Sequence, residues 1–513
     1  MGGGSSAGAG VGTLAGAAGG PTAATGSTIL RRLNRVELAN TLTVVAGKAV
    51  APEQLLPPDP QVQGFDTIAT ALETTPAAVE QLMQVAASTA TSLSPESLGA
   101  CAAASDERGC ALERVGTFAR STLRRPASPL ELASFAALYD DVRSRESSAV
   151  ALSAVVERLL ASPDFLYRVE LGADPSGKLT EHELAARLAF TFWEAPPDAE
   201  LAQLADQGAL SAALSSQIER LLADARAKQV FTRFLSGWLR TAEIENVTKD
   251  PAAYPGFAAL QPELTSELSG FVSALVDEDA PVAAIVNAPF TLAGPELAAF
   301  YGVSHPGGGV VKIMLPDRPG LLTRAGFLST FGRARGSSPI RRGSFVRQRL
   351  LCLPLGVPPP GVDAVPPEAT PTTTTREFFA SLTASPTCQG CHNLLNPLGF
   401  ALEQYDGVGA FRAQENGVPI DASADVLLGG DQTRHVNGAV ELAAALANDP
   451  QLLRCLATEW FRSRFGRIET GGDSAIVDAL TASLGSGQHL LDAARALAQA
   501  PELSYAHFHQ GAP

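Results

Sequence analysis

Apolar side chains recur at intervals of three and four residues through most of the chain after about residue 76. The pattern is clearest in the stretches PAAVEQLMQVAASTATSL, TEHELAARLAFTFWEA and VELAAALANDPQLLRCLATEWFRSRFG. This spacing places the apolar side chains on one face of an α-helix, where they can pack against a core. The sequence therefore predicts a mainly α-helical protein.

Two helix starts carry a capping signature. Ser128 precedes Pro129 and is followed three residues later by Glu131, and Thr180 is followed at the same spacing by Glu183. In this arrangement the hydroxyl accepts a backbone N–H of the first turn, and the carboxylate accepts the N–H of the capping residue. We expect helices to begin directly after Ser128 and after Thr180.

Two stretches interrupt the helical pattern. Residues 353 to 375, LPLGVPPPGVDAVPPEATPTTTT, are rich in proline, which fixes φ and lacks a backbone N–H, so an extended spacer is expected. The later stretch GAFRAQENGVPIDASADVLLG alternates polar and apolar residues between glycines. It predicts a small β-hairpin.

Length and composition place the chain among multi-module globular proteins. Its 513 residues exceed what one hydrophobic core usually serves, and 45% of them are apolar while 18% are charged. The net charge of -15 argues against a nucleic-acid partner, because neutralising phosphates needs clustered Lys and Arg. The sequence has no apolar run of about eighteen residues, so no transmembrane segment is predicted.

The first 27 residues are almost entirely Gly, Ala, Ser and Thr, the composition of a flexible tether. They lack the basic and apolar regions of a secretory signal, and such tethers often follow the lipid-bearing cysteine of a bacterial lipoprotein. We therefore expect the printed start to lie downstream of a missing N-terminal export signal that could carry a lipid anchor.

The stretch TCQGCHNLLNPLGF contains the chain's most specific chemical pattern, Cys388, Cys391 and His392. With only six cysteines and seven histidines in the chain, a C-x-x-C-H pattern rarely arises by chance. On one helical turn the two thiols can form thioethers with the vinyl groups of a haem, and the imidazole can bind its iron. The alternatives are a zinc site and a disulfide between the two cysteines.

Several other segments support a family resemblance. They are LRRLNRVELANTL, FARSTLRRPASPLELASF, LLASPDFLYRVE, LTEHELAARLAFTFWEAPPDAELAQLADQGAL, RPGLLTRAGFLST, SSPIRRGSFVRQRLLC, CQGCHNLLNPLGFALEQYDGVGAFR and CLATEWFRSRFGR. In this order the chain resembles the multi-module planctomycete-type cytochrome c proteins, a family also common in myxobacteria. The resemblance covers nearly everything after residue 28 and implies one covalent haem c with His392 as its proximal ligand. It implies no substrate, because the family's biological role is not established.

The resemblance and the breaks in the pattern together divide the chain into five parts. These are a flexible linker at 1–27, N-terminal helical modules at 28–175, a central helical module at 176–305, a cytochrome c-like haem module at 306–432 that includes the proline-rich spacer, and a C-terminal helical module at 433–513.

The sixth haem ligand is not specified by the motif. Met314 is the best methionine candidate, because Met1 lies in the tether and Met83 in an amphipathic helix. Among the histidines, His435 is expected in the loop after the hairpin, and His305 lies beside a Gly-rich loop. For both histidines the sequence favours a solvated loop position over iron binding.

Three charged residues after the motif are further candidates. Arg412 could bind a haem propionate in the bidentate manner that arginine favours, or lie at the surface. The spacing of Glu403 and Asp406 could place both on one helical face, where a carboxylate above an open haem could move protons, but the sequence favours a solvated or capping role for each.

The other four cysteines suggest disulfides. Cys101 and Cys110 bracket a short polar loop and are expected to pair in an oxidising compartment. Cys352 and Cys455 each lie in an apolar helical pattern and either pair across modules or remain buried free thiols. Disulfides and covalent haem both favour the periplasm or the cell surface.

The sequence thus predicts an exported c-type haem protein that acts in electron transfer or haem-based redox chemistry. Its partner would be a redox protein or a small-molecule electron donor or acceptor. One alternative is a haem-dependent oxidoreductase, a peroxidase or oxygenase with an open distal site. The other is a surface binding or structural protein in which the Cys-His segment forms a disulfide or zinc knot.

Overall fold

The structure is a computed structural model that describes residues 30–54, 56–93, 101, 104–356 and 373–506. The protein is 59% helical and its described strands form only two-stranded sheets, which confirms the prediction of a mainly α-helical, multi-module fold. The predicted linker at 1–27 lies outside the described residues, as does most of the predicted spacer.

The N-terminal part has its own hydrophobic core, built from Leu33 to Phe165 and joined by Phe190. A short antiparallel pair, β1 (Arg31–Arg32) and β2 (Tyr167–Arg168), brings the two ends of this part together. Its helices are α1 (Arg35–Ala46), α2 (Pro76–Ser92), α3 (Glu107–Leu123), α4 (Pro129–Arg143), α5 (Ser148–Leu160) and α6 (Pro163–Leu166).

A second and larger core includes Phe65 and Ile68 and extends from Leu179 to Ala506. Its helices before the motif are α7 (Glu181–Trp193), α8 (Ala199–Asp206), α9 (Leu214–Ala223), α10 (Ala225–Leu239), α11 (Phe257–Asp277), α12 (Ala284–Asn287), α13 (Pro295–Phe300), α14 (Ala325–Thr330) and α15 (Pro339–Phe345). Helix α16 (Thr375–Leu382) directly precedes the motif and lies beside this core. The helices from the motif onward are α17 (Pro386–Phe400), α18 (Ala439–Ala447), α19 (Pro450–Phe465), α20 (Ser474–Gly487) and α21 (Asp492–Gln499). Strands β3 (Phe290–Ala293) and β4 (Val311–Met314) pair antiparallel beside α11.

Both predicted capping boxes are present. Ser128 caps α4 and Thr180 caps α7, and in each case the third residue of the helix returns a carboxylate to the backbone N–H of the cap. The predicted starts of these two helices are confirmed.

The stretch predicted to form one hairpin contributes to two. Strands β5 (Gln414–Glu415) and β6 (Val418–Pro419) are joined by Asn416 and Gly417, whose φ angles of 51° and 80° suit a tight two-residue turn. Strand β7 (Ser423–Leu427) pairs with β8 (Thr433–Asn437), which lies beyond the stretch. The second hairpin was missed because four of the five β8 side chains are exposed and give no alternating pattern.

Paired charges are buried where the two cores meet. In each pair a guanidinium and a carboxylate attract each other, and this attraction offsets part of the free-energy cost of removing the two charges from water. The pairs are Arg31–Glu37 at 2.7 Å, Arg187–Glu170 at 2.6 Å, Arg464–Glu194 at 3.1 Å and Arg467–Asp473 at 2.7 Å.

These pairs predict acid sensitivity. Burial alone would raise the pKa of Glu37, but the Arg31 guanidinium outweighs burial and lowers that pKa from 4.5 to about 2. A carboxyl with a lowered pKa stabilises the fold above pH 4.5 and loses that contribution as the pH falls toward 2. We expect the free energy of unfolding to decline over this window, by up to about 1.4 kcal/mol per pH unit for each such carboxyl.

The measurement is urea denaturation followed by circular dichroism between pH 6 and pH 2. Glu37→Gln should lower stability at pH 6 and give a shallower decline toward pH 2, because it removes one of the carboxyls that take up a proton. Parallel pH profiles for the variant and the wild type would contradict this account.

Candidate haem-attachment site

Helix α17, called the motif helix from here on, carries Cys388, Cys391 and His392. Residues three and four apart lie on neighbouring positions of one helical face, so the two thiols and the imidazole share a side of the helix. All three side chains are half-buried, and both thiols are free. The motif helix therefore presents its chemical groups at the surface of the protein while its C-terminal half enters the core.

The motif helix packs closely against α15. A Cβ built on Gly399 would lie 2.0 Å from the carbonyl oxygen of Pro339, and one built on Gly343 would lie 2.1 Å from that of Leu395. Any side chain at either glycine would meet backbone rather than a movable side chain. The two glycines thus let the backbones approach directly and set the position of the motif helix.

Arg342 on α15 fixes the turn that follows the motif helix. Its guanidinium is fully buried and donates to the carbonyl oxygens of Leu402 at 3.1 Å, Tyr405 at 2.8 Å and Leu328 at 3.3 Å, and also to that of Asp406. Carbonyls at a buried helix end need such donors, because the helix itself provides none. Arg342 could not be predicted as buried from the sequence, because RRGSFVRQR contains four arginines and nothing in the stretch distinguishes a buried arginine from a surface one.

A chain of hydrogen bonds defines which nitrogen of His392 carries hydrogen. Thr383 donates its hydroxyl hydrogen to the carbonyl oxygen of Phe379 at 2.7 Å, so its oxygen accepts the amide N–H of Asn396 at 2.8 Å. The amide oxygen of Asn396 then faces His392 Nδ1 at 3.2 Å, and Nδ1 must donate. His392 Nε2 therefore keeps its lone pair and can bind a metal.

Asn396 was also missed from the sequence, although a signal existed. It lies four residues after His392, which is one turn along the same face of the motif helix. A polar side chain at that spacing can orient the imidazole.

The carboxylates after the motif differ from their prediction. The motif helix ends at Phe400, so Glu403 and Asp406 do not share the helical face that their spacing would have allowed. Asp406 is half-buried and accepts the backbone N–H groups of Val408 and Ala410, in a turn rather than at the start of a helix.

Glu403 is buried and bound by neighbours. It accepts the Ser337 hydroxyl at 2.7 Å and Arg412 Nη2 at 3.1 Å. Burial raises the pKa of Glu403 although Arg342 and Arg412 both favour its charged form. Arg412 also pairs with Glu415 at 2.6 Å, so its guanidinium is held between two carboxylates.

The candidates for the sixth ligand lie in different places. Met314 on β4 and Met83 on α2 are exposed. His305 accepts the N–H of Gly307 through Nδ1 at 3.1 Å. His435 lies in β8 rather than in the predicted loop, and its exposed ring bonds Asp425 on the neighbouring strand at 2.9 Å. The sixth ligand stays a prediction.

The four remaining cysteines form two disulfides, Cys101–Cys110 within the N-terminal part and Cys352–Cys455 within the second core. Among the helices that the structure describes, none combines the length and apolar character needed to cross a bilayer.

Four family models match successive segments of the chain, and each is described as a protein of unknown function. They are PSD3 (DUF1587) at residues 31–94, PSD5 (DUF1595) at 110–170, PSD4 (DUF1592) at 179–303 and PSCyt3 (DUF1588) at 318–415. Together they support a multi-module family, the planctomycete cytochrome-like set of domains. The PSCyt3 segment contains the motif helix, α15 and Arg412. No curated protein and no solved structure matches the chain.

Proposed function

We propose that the motif helix carries one covalently attached haem c and that the protein acts in electron transfer or haem-based redox chemistry. Cys388 and Cys391 would supply the two thioether sulfurs, and His392 Nε2 would be the axial ligand. The observation that carries this proposal is the hydrogen-bond chain from Phe379 to His392, which leaves the Nε2 lone pair free. A metal-bound histidine commonly donates its other ring nitrogen in this way.

The geometry favours haem over a zinc knot. Among the described residues, three or more Cys, His, Asp or Glu side chains bring ligand atoms within 4.8 Å of one another only at Cys352, Cys455 and Glu459. The motif thiols and the imidazole therefore do not converge on one point, as tetrahedral zinc requires. Haem attachment needs no such convergence, because the sulfurs bond to two vinyl groups and the imidazole to the iron.

The disulfide alternative has less support. The structure pairs four of the six cysteines and leaves Cys388 and Cys391 as thiols. Two free thiols on one face beside an oriented imidazole are the groups that haem attachment uses. The haem would supply one-electron redox chemistry, while the chain holds it and orients His392. We propose the periplasm or the cell surface as the location, since thioethers and disulfides both suit an oxidising compartment.

The test is to export the chain through a cytochrome c maturation system and to examine it by haem-stained denaturing gel and pyridine haemochrome spectrum. The wild type should retain haem through denaturation, and Cys388→Ser with Cys391→Ser should lose it. A wild type without haem after export would overturn the proposal. A high-spin spectrum with peroxide turnover would assign the haem to an enzyme, and a low-spin spectrum without turnover to an electron carrier.

Asn396→Leu is expected to weaken the bond between His392 and iron. The change removes the acceptor of the Nδ1 hydrogen bond, and losing such a partner typically costs roughly 10 to 100 times in metal affinity. Because a proton competes with iron for Nε2, the pH midpoint for loss of the histidine ligand should rise by about one to two units. This midpoint is measured by following the Soret absorption band of the haem protein during an acid titration.

Asn393→Leu is the matched control. Asn393 lies on the same helix but is exposed. The pH midpoint for loss of the histidine ligand in Asn393→Leu should equal that of the wild type. Equal pH midpoints for Asn396→Leu and the wild type would mean that Asn396 does not strengthen the bond between His392 and iron.

A further inference from the structure

The Cys352–Cys455 disulfide ties the residue directly before the proline-rich spacer to the C-terminal part. Cys352 follows α15 and the short π-helical turn after it, while Cys455 lies in α19, 103 residues further along the chain. Cys455 is fully buried and Cys352 is half-buried. Cys352 is therefore the less buried of the two cysteines, and we expect a reductant to attack its sulfur first.

A buried carboxylate accompanies the disulfide. Glu459 Oε1 lies 3.7 Å from Cys352 Sγ, and both sulfurs lie within 4.8 Å of the Glu459 carboxylate. Oε1 is also bound by Arg349 at 3.4 Å and Arg462 at 2.8 Å. The other oxygen, Oε2, is buried and has no hydrogen-bond partner among the described residues. The Glu459 carboxylate lies beside both sulfurs and burial raises its pKa, so it can exchange a proton with a thiol formed when the disulfide opens.

The backbone at Cys352 is held in an unfavourable conformation. Its φ is 49°, in the left-handed region that side-chain-bearing residues rarely adopt. Such conformations persist only where the surrounding structure holds them. The disulfide to α19 provides that hold, together with the hydrogen bond from Leu353 N–H to the Arg347 carbonyl at 2.9 Å.

The same segment passes beside the motif. A Cβ built on Gly356, four residues after Cys352, would lie 3.9 Å from Cys391 Sγ, which is ordinary van der Waals contact. The segment from Cys352 to Gly356, called the latch from here on, therefore lies against the second motif thiol. The disulfide fixes the first residue of the latch, Cys352, to α19.

We propose that Cys352–Cys455 is a second redox site, which a dithiol reductant opens, and that opening it releases the latch from Cys391. The consequence for haem attachment rests on the proposed function, whereas the opening itself does not. Attachment at Cys391 would then proceed while the disulfide is reduced, and the latch would close over the finished site when it forms.

The reduction balances as a thiol–disulfide exchange. A thiolate of the dithiol attacks Cys352 Sγ, the S–S bond breaks, and its electron pair leaves on Cys455 Sγ. Glu459 donates a proton to that thiolate and regains one from the second thiol of the reductant. The second thiol, now a thiolate, attacks the mixed disulfide and releases Cys352 as a thiolate, which takes up the proton lost from the first thiol. The dithiol ends as a disulfide, and Cys352 and Cys455 end as thiols.

The first experiment measures how fast maleimide labels Cys391 in the full chain made without haem. A Cys388→Ser background leaves Cys391 as the free thiol. Adding Cys352→Ser and Cys455→Ser should speed labelling by roughly tenfold, because the latch can then move away. Adding Cys101→Ser and Cys110→Ser instead, which removes the other disulfide, should leave the rate unchanged. Equal rates in all three proteins would overturn the latch.

The second experiment tests opening in the folded protein. The wild type is treated with increasing dithiothreitol, alkylated and mapped by mass spectrometry, while circular dichroism monitors the fold. Cys352 and Cys455 should become alkylated while the spectrum is still native, and Glu459→Gln should slow this by roughly tenfold. Alkylation only after unfolding would make the disulfide purely structural. Absence of haem in the exported protein would overturn the proposed function but leave both of these results intact.

Discussion

Replacing Arg342 with alanine is expected to lower the free energy of unfolding by about 3–5 kcal/mol, the range for removing one partner of a buried charge pair. Arg342 is fully buried, and its guanidinium donates to carbonyl oxygens on both sides of the turn after the motif helix. It also lies 3.8 Å from Glu403, itself only 2% exposed. The substitution would strand these carbonyls and leave Glu403 with Arg412 as its main cationic partner.

Urea denaturation of the purified chain measures the effect. Arg335→Ala is the control, because Arg335 is 59% exposed and pairs with Asp250 at the surface, where ion pairs contribute little. We expect Arg342→Ala to unfold at much lower urea concentration and Arg335→Ala to unfold close to the wild type. Similar midpoints for the two variants would mean that Arg342 does not hold the turn.

Gly399→Ala is expected to cost about 3 kcal/mol, the upper end of the range for overpacked cores. The new Cβ would lie 2.0 Å from the carbonyl oxygen of Pro339 and 2.6 Å from its Cα, so α15 and the motif helix would have to separate. Separation would also disturb the contact between Gly343 and Leu395 one turn away. The loss should appear in urea denaturation, and a smaller fraction of the exported protein should carry attached haem.

Gly390→Ala provides the matched control on the same helix. Gly390 lies between the two motif cysteines, and a Cβ there would have nothing within 4 Å. Alanine favours helix more than glycine does, so this variant should match the wild type or gain up to about 1 kcal/mol. If Gly399→Ala were as stable as Gly390→Ala, close backbone packing would not position the motif helix.

Local signals in the sequence predicted local structure well. The helical periodicity and the capping boxes at Ser128 and Thr180 depend on neighbours within a turn or two, and the structure confirms them. The motif cysteines and His392 lie on one helix, as their spacing requires. The first hairpin follows from Asn416 and Gly417, the residues that a tight turn needs.

Partners distant in the chain could not be predicted. Arg342 contacts carbonyls 60 and more residues away, and nothing within its own stretch marks it as buried. The end of the motif helix at Phe400 depends on those contacts, so the spacing of Glu403 and Asp406 alone could not show that they lie beyond the helix. His435 was expected in a loop because most β8 side chains are exposed, so its strand shows no apolar period.

The motif helix is part of a core shared with the central and C-terminal segments rather than an appended unit. Leu398 of the motif helix, Phe345 of α15 and Trp460 of α19 all belong to the second core. A haem on the exposed face of this helix would therefore be held by the same hydrophobic core that contains the central and C-terminal segments. That arrangement gives the helical segments before the motif a physical role in fixing the site.

The intact mass of the exported, denatured protein tests the central claim most directly. The account predicts that the wild type is heavier than its mature polypeptide by one haem and that the added mass maps to the peptide containing Cys388 and Cys391. Loss of the added mass in the Cys388→Ser, Cys391→Ser variant would complete the result. A wild-type mass equal to that of the bare polypeptide, from a host that matures a control cytochrome c, would contradict it.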